Sequence, residues 1–165
     1  MQRRNFAAGG GRLGLLLAAW LMMPLVAAAQ EPARPAVDPL VERLSGKASY
    51  FLERIAARDE QNAYTELLEG SQLAKKTTAV QALIEKTAQL QDKYGEYQEA
   101  EQIAAKRVGR DLVLVKYLFK CKNFPVVWYF TFYRDFGRGP SSVDEDGWIL
   151  IAIRFDTQLD ALGFE

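Results

Sequence analysis

Few side chains in this sequence can carry out chemistry, and their number excludes several classes of site. There is no His, and Cys121 is the single Cys among 165 residues. A Ser-His-Asp triad, a Cys-His pair and an imidazole-bound metal all need His, and a zinc site built from thiolates needs further Cys. We therefore expect no metal and no cofactor, and we assign no residue as catalytic.

Cys121 is a candidate nucleophile, since it lies between Lys120 and Lys122. Neighbouring positive charge lowers the pKa of a thiol and favours the reactive thiolate. In the absence of a His base, we favour a small side chain buried near the end of a strand. A disulfide bond between Cys121 of two chains is the other alternative.

Two polar segments contain residue types that occur in ion-binding loops. Asp144, Glu145 and Asp146 are consecutive acids, whereas calcium loops place oxygen ligands at alternating positions with a distant Glu. Segment 137–142 contains Gly and Ser, but no helix follows it whose N-terminus would hold a phosphate. We interpret both segments as parts of one solvated loop.

The charge balance excludes a nucleic-acid partner. The chain has 21 basic and 21 acidic residues, and 49% of its residues are hydrophobic. A nucleic-acid-binding domain carries a basic patch and a basic overall charge, which this composition lacks. The composition is instead typical of an ordinary globular protein.

Residues 1–29 follow the plan of a secretory signal peptide. A basic start precedes the apolar run 13–26, and Ala27-Ala28-Ala29 then supplies a small-residue cleavage site. The run is shorter than the about 20 residues of a membrane span. We therefore expect cleavage and no stable span afterwards, with an uncleaved N-terminal anchor as the alternative.

The basic start also bears on the export route. Residues Arg3-Arg4-Asn5-Phe6 resemble the core of a twin-arginine signal. We expect a periplasmic or secreted protein, exported by the general secretory route or by the twin-arginine route.

The remaining chain predicts one domain after a short lead. Segment 30–37 contains Pro32 and Pro35 and has no periodic apolar pattern, which indicates a flexible lead. Without the signal peptide the net charge is −3. Residues 38–165 are of a length typical of a single domain.

The first half of this domain predicts three helices. Asp38-Pro39 is typical of an N-cap followed by Pro at the first helical position. Apolar residues then recur every three or four positions until about Asp59. Shorter patterns of the same kind cover 63–68 and 80–94.

The second half predicts an antiparallel meander. Three runs rich in β-branched, aromatic and other apolar residues are separated by turn residues: 112–121, 126–134 and 148–156. Segment 96–108 is ambiguous, because its composition favours a helix and its position between two glycines suits a strand.

Side chains alternate along these strands and so divide between two faces. One face is wholly apolar, and we expect it to cover the helices. Aromatic side chains of this face, with two tyrosines of the helices, are candidates for lining a ligand pocket: Tyr50, Tyr64, Tyr117, Phe119, Trp128 and Phe130.

The other face mixes polar and apolar side chains. Lys116, Lys120 and Arg154 are interpreted as the polar rim of an interface. The apolar members form too large a patch for contact with solvent alone, so we expect them at a protein interface: Leu114, Leu118, Tyr129, Tyr133 and Leu150.

The segment Val127-Trp128-Tyr129-Phe130-Thr131-Phe132-Tyr133-Arg134, followed by Gly147-Trp148, resembles the nuclear-transport-factor-two-like superfamily, also called the cystatin-like cone fold. It is similar in particular to small exported bacterial members. The resemblance implies an α+β fold with three N-terminal helices packed on a curved antiparallel sheet of about four strands. Segment 96–108 would be the first strand.

The resemblance also implies a cleft between sheet and helices, and a dimer through the outer face of the sheet. Enzymes of the superfamily place an Asp base or a His inside the cone. This sequence has no acid on the apolar strand face and no His.

These observations favour a non-enzymatic interaction or structural module that acts as a homodimer. One alternative is a small-molecule-binding protein, or an isomerase- or cyclase-like enzyme, with a pocket between helices and sheet. Another is an accessory domain that docks on another exported protein. The expected partner is a second copy of the chain or another exported protein.

We predict that the exported protein begins at Gln30, because signal peptidase cleaves after small residues such as Ala27 and Ala29. N-terminal sequencing of protein from the native host tests this, and a chain that begins at Met1 would contradict it. Replacing Arg3 and Arg4 by Lys should block export only if the twin-arginine route is used.

Overall fold

The computed structural model describes residues 38–135 and 147–158. The predictions for the signal peptide 1–29, the lead 30–37 and the loop segments 137–142 and 144–146 lie outside the described residues.

The N-terminal half of the described chain is helical. Among the described residues, no helix has both the length and the apolar character needed to cross a membrane. The third predicted helix is divided at Gln89, so that a short helix follows it. The elements are α1 (Pro39–Ala56), α2 (Glu60–Leu67), a 3-10 helix (Gln72–Lys75), α3 (Thr77–Ala88) and α4 (Leu90–Tyr94).

Asp38 caps α1, as the sequence predicts. Its Oδ1 accepts the N–H of Leu40 at 3.0 Å, which satisfies one of the unpaired donors of the first turn. Its Oδ2 accepts from Nη1 of Arg107 at 3.0 Å. The Arg107 guanidinium, followed by the Leu40 N–H, holds the pKa of Asp38 below its ordinary value. One carboxylate therefore both starts α1 and pairs with a residue of the sheet.

Four antiparallel strands follow in the order of the chain, so the first and the last are edge strands. Three helices, α1 to α3, pack against this open sheet, which confirms the predicted α+β fold class. The strands are β1 (Tyr97–Val108), β2 (Leu112–Cys121), β3 (Val126–Arg134) and β4 (Trp148–Asp156).

The ambiguous segment 96–108 forms β1, so the strand alternative is confirmed and the helix alternative is wrong. Pairing with β2 decides the conformation, because strand preference depends on neighbours more than on composition. Gly95 has φ +92, and a Cβ there would lie 3.0 Å from Cβ of Lys122. Only Gly fits this link between α4 and the sheet without strain.

The predicted alternation is confirmed in β2 and β3. Every second residue of β2, from Val113 to Cys121, is buried, and the residues between them are half-buried. In β3, Trp128, Phe130 and Phe132 are buried on the side that faces α1. The core therefore lies between the helices and this face of the sheet.

The prediction that Leu150 lies on the outer face is wrong. Leu150 is 2% exposed and belongs to the core. The register between β3 and β4 shifts at this point, since Thr131 pairs with Ala152 and Phe132 with Leu150. Ile151 is left without a partner and is 41% exposed. A β-bulge of this kind exchanges the faces of the residues on one side of it.

Phe51 is predicted to contribute strongly to stability, because its ring fills the space between α1 and the sheet. Phe51→Ala should lower the free energy of unfolding by about 3–5 kcal/mol, as for other buried aromatic residues. Tyr50→Ala, at the neighbouring exposed position, is the matched control and should cost below about 1 kcal/mol. Denaturant unfolding measures both changes. Equal losses for the two variants would contradict the packing described here.

Candidate functional site

Aromatic rings pack against one another in the space between helices and sheet. The ring of Phe51 lies 5.0 Å from that of Tyr64, 5.4 Å from that of Trp128 and 5.7 Å from that of Phe130, each in an edge-to-face arrangement. Such pairs add to the free energy gained from burial. Five of the six predicted pocket residues are buried in this region: Tyr64, Tyr117, Phe119, Trp128 and Phe130.

Tyr50, the sixth predicted pocket residue, does not join the others. It is 52% exposed, and its Oη accepts from Nη1 of Arg54 at 3.0 Å. The buried face of α1 includes Ala48, Phe51 and Leu52, so a side chain at position 50 points away from the sheet. Its assignment to a pocket inside the fold is therefore wrong.

Two tyrosines of the interior direct their hydroxyls to protein groups. The Oη of Tyr64 lies 2.9 Å from Oγ1 of Thr87, which in turn donates to the carbonyl of Leu83 at 2.8 Å. The Oη of Tyr117 donates to the carbonyl of Ser45 at 2.9 Å. Burial raises the pKa of both tyrosines. Both hydroxyls therefore stay protonated at neutral pH. That of Tyr64 joins α2 to α3, and that of Tyr117 joins β2 to α1.

The interior offers no general acid or base in the part of the chain that is described. Its buried side chains with polar atoms are those of Ser45, Ser71 and Thr87, besides two tyrosines, two tryptophans and Cys121. Acid–base catalysis near neutral pH needs a group that titrates there, such as a buried carboxylate. Within 38–135 and 147–158, no cluster of acidic or thiol side chains is suited to a metal ion.

Cys121 ends β2 and is 8% exposed. Burial raises the pKa of its thiol, although the sequence places it between two lysines. Those neighbours point to the other face of the strand or to the turn, since side chains alternate. The thiol is therefore protonated at neutral pH and unsuited to nucleophilic attack.

The outer face of the sheet has a cationic row at its centre. Lys116, Tyr129 and Arg154 are direct neighbours across β2, β3 and β4. Nζ of Lys116 lies 5.5 Å from the centroid of the Tyr129 ring, and Cζ of Arg154 lies 4.2 Å from it. Both distances are suited to cation–π attraction. The side chains of Lys116 and Arg154 thus cover Tyr129, which is one of the predicted interface residues.

The hydroxyl of Tyr129 is enclosed within this row. It has no hydrogen-bond partner among the described residues, although the atom is buried. Burial, and then the charge of Asp156, raise the pKa of Tyr129, while Arg154 opposes them. An enclosed donor without a partner is costly, which marks this position as one where a further contact would be stabilising.

Acidic side chains of β1 border the same face. Nζ of Lys120 lies 3.1 Å from an oxygen of Glu99 and 2.6 Å from an oxygen of Glu101. These hydrogen bonds raise the pKa of Lys120. The groups are partly exposed, so the pairs contribute little to stability. They place both signs of charge at the border of the face.

One end of the outer face is apolar across all four strands. Val108 pairs with Leu112, Leu112 with Tyr133, and Tyr133 with Ile149. Val108, Tyr133 and the bulged Ile151 are 41%, 39% and 41% exposed. We call this set the apolar end and define it by its members: Val108, Leu112, Tyr133, Ile149 and Ile151.

The structure places four of the five predicted interface residues on the outer face. They are Leu114, Leu118, Tyr129 and Tyr133. The other four members of the apolar end were not among the predicted interface residues: Val108, Leu112, Ile149 and Ile151. Val108 was missed because the conformation of its segment was ambiguous, and Ile151 because strict alternation assigns it to the core.

Comparison with known proteins identifies no relative. No protein-family model matches the chain, nor does any curated protein or solved structure. The resemblance of segment 127–134 to the cone-fold superfamily stays a prediction, and conclusions on function depend on the geometry described above.

We predict that Cys121 reacts slowly in the folded protein, because its buried thiol is protonated. Alkylation by iodoacetamide at neutral pH should be at least about tenfold slower than in denaturant, where the thiol regains its ordinary pKa and full exposure. Mass spectrometry of timed samples measures both rates. Equal rates would show that Cys121 is accessible and would revive its role as a nucleophile.

Proposed function

We propose that this chain is an exported, non-catalytic interaction module that forms a homodimer through the outer face of its sheet. Export is supported by the basic, apolar and small-residue order of residues 1–29. A non-catalytic role is supported by the aromatic packing between helices and sheet, where the described residues bring no buried carboxylate together with the rings.

The observation that carries the proposal is the apolar end. Its row Val108–Leu112–Tyr133–Ile149 crosses every strand of the sheet, and the bulge adds Ile151. Contiguous apolar surface of this kind is uncommon on monomers unless it binds something. The half-buried Leu114 extends it towards the cationic row, and Leu118 lies on the far side of that row.

A second copy of the chain is the occupant that this face fits best. In a dimer with a two-fold axis the same patch meets itself, so apolar residues contact apolar residues without any need for a different partner surface. The border must then carry both signs of charge. It does so here along β1 and β2, where Lys120 lies beside the acidic Glu99 and Glu101.

Sedimentation equilibrium across micromolar concentrations tests the proposal. The wild type should have the mass of a dimer. Ile151→Glu should weaken association by at least about a hundredfold, because it would bury a carboxylate without a partner at the contact. Tyr50→Glu is the matched control on the helical side and should leave the mass unchanged.

Circular dichroism establishes first that each variant is folded. A monomeric wild type at all concentrations would contradict the proposed homodimer. Dissociation caused by Tyr50→Glu and not by Ile151→Glu would place the contact on the helices instead.

A further inference from the structure

A groove runs along the second half of β4. It has a volume of about 500 Å³. One wall consists of the consecutive residues 153–158, and the other is formed by Leu83 and Lys86 of α3 with Tyr94 of α4. Leu83 and Lys86 lie three residues apart, so both face the strand from the same side of the helix. The groove thus lies between the edge of a sheet and a helix.

The edge of β4 is covered in its first half, and in its second half no described residue pairs with it. Near the start, Oγ of Ser71 donates to the carbonyl of Leu150 and accepts the N–H of Leu73, so the 3-10 helix covers that part. Further along, β4 pairs with β3 alone among the described residues. An uncovered edge presents backbone donors and acceptors that can pair with another strand.

The side chains that line the groove combine apolar surface with positive charge. Leu83, Ile153 and Phe155 are half-buried and apolar. Lys86 and Arg154 contribute two positive charges against the single carboxylate of Asp156. Lys86 has no ion-pair partner in the part of the chain that is described. The groove therefore carries a net positive charge over an apolar floor.

We propose that this groove binds an extended, acidic segment of a partner protein, which adds as a fifth strand to β4. Backbone hydrogen bonds to the open edge provide affinity, and alternate side chains provide specificity. Because side chains of a strand alternate between two faces, apolar side chains of the segment face Leu83 and Phe155 on the helical side, and acidic ones face Arg154 on the outer side. Lys86, on the same side of α3 as Leu83, adds a second positive charge to the groove. The site lies beside the outer face, so it deepens the proposed interaction function without depending on the homodimer.

Synthetic peptides of about ten residues, in which Glu alternates with Leu or Val, serve as the probe. Fluorescence anisotropy should detect binding to the purified protein. A matched peptide with Lys in place of every Glu should bind at least about tenfold more weakly, because its charge repels Lys86 and Arg154. Equal binding of the two peptides would overturn the charge selection.

Backbone pairing is tested with a third peptide that keeps every side chain. N-methylation at alternate residues removes its backbone donors, so strand addition should be lost and binding should fall at least about tenfold. Hydrogen exchange of the protein should show that peptide protects those amides of β4 that do not bond to β3. Unchanged binding of the methylated peptide, or no new protection, would overturn strand addition.

A variant pair locates the site. Lys86→Glu should weaken binding of the acidic peptide about tenfold, whereas Lys75→Glu, an exposed lysine of the 3-10 helix outside the groove, should leave it unchanged. Equal effects would overturn the assignment to this groove. Sedimentation of Lys86→Glu should match the wild type, so failure of peptide binding and failure of the homodimer are separate results.

Other occupants of the edge give a distinct outcome. If the outward amides of β4 are protected before any peptide is added, the chain itself or a second copy already covers the edge. Protection that rises with protein concentration identifies the second copy. Either result would overturn the proposal of a partner peptide.

Discussion

The rest of the structure depends on the packing of Phe51 of α1 against the aromatic face of β3. Alternation turns Trp128 and Phe130 to the same side of the sheet, and large rings on one side need a covering layer. Phe51 supplies it and also contacts Tyr64, which joins α2 to the same core. The position of α1 then determines how the aromatic rings of the interior pack against one another.

Aromatic rings pack against one another in the interior, so the candidate contact surfaces lie on the outside of the molecule. The tyrosines that a ligand cleft would use are bonded to Thr87 and to the carbonyl of Ser45, where they hold the helices in place. Within 38–135 and 147–158, the outer face and the edge of β4 remain as surfaces with apolar groups or backbone that no described residue covers. Arg154 borders both, since it covers Tyr129 and also lines the groove.

The sequence predicts the parts of this structure that follow from local patterns. The cap at Asp38 and the alternation of β2 and β3 are of this kind, because each depends on the spacing of nearby residues. Three features depend on long-range pairing. The local pattern left the first of them, β1, open between helix and strand, although the superfamily resemblance implied a strand, and it did not predict the other two. The polar β1 is a strand because it pairs with β2, and the bulge at Ile151 exchanges the faces of β4. The groove joins α3 to residues about seventy positions later in the chain.

We propose that the outer face of the sheet, and not the helical side or the interior, forms the contact between two copies of the chain. Hydroxyl-radical footprinting reads the exposure of single side chains and tests this directly. Modification of Tyr133 and Ile151 should fall as the protein concentration rises through the micromolar range, while that of Tyr50 stays constant. Tyr133 and Ile151 that remain as reactive at high concentration as at low concentration would contradict the account.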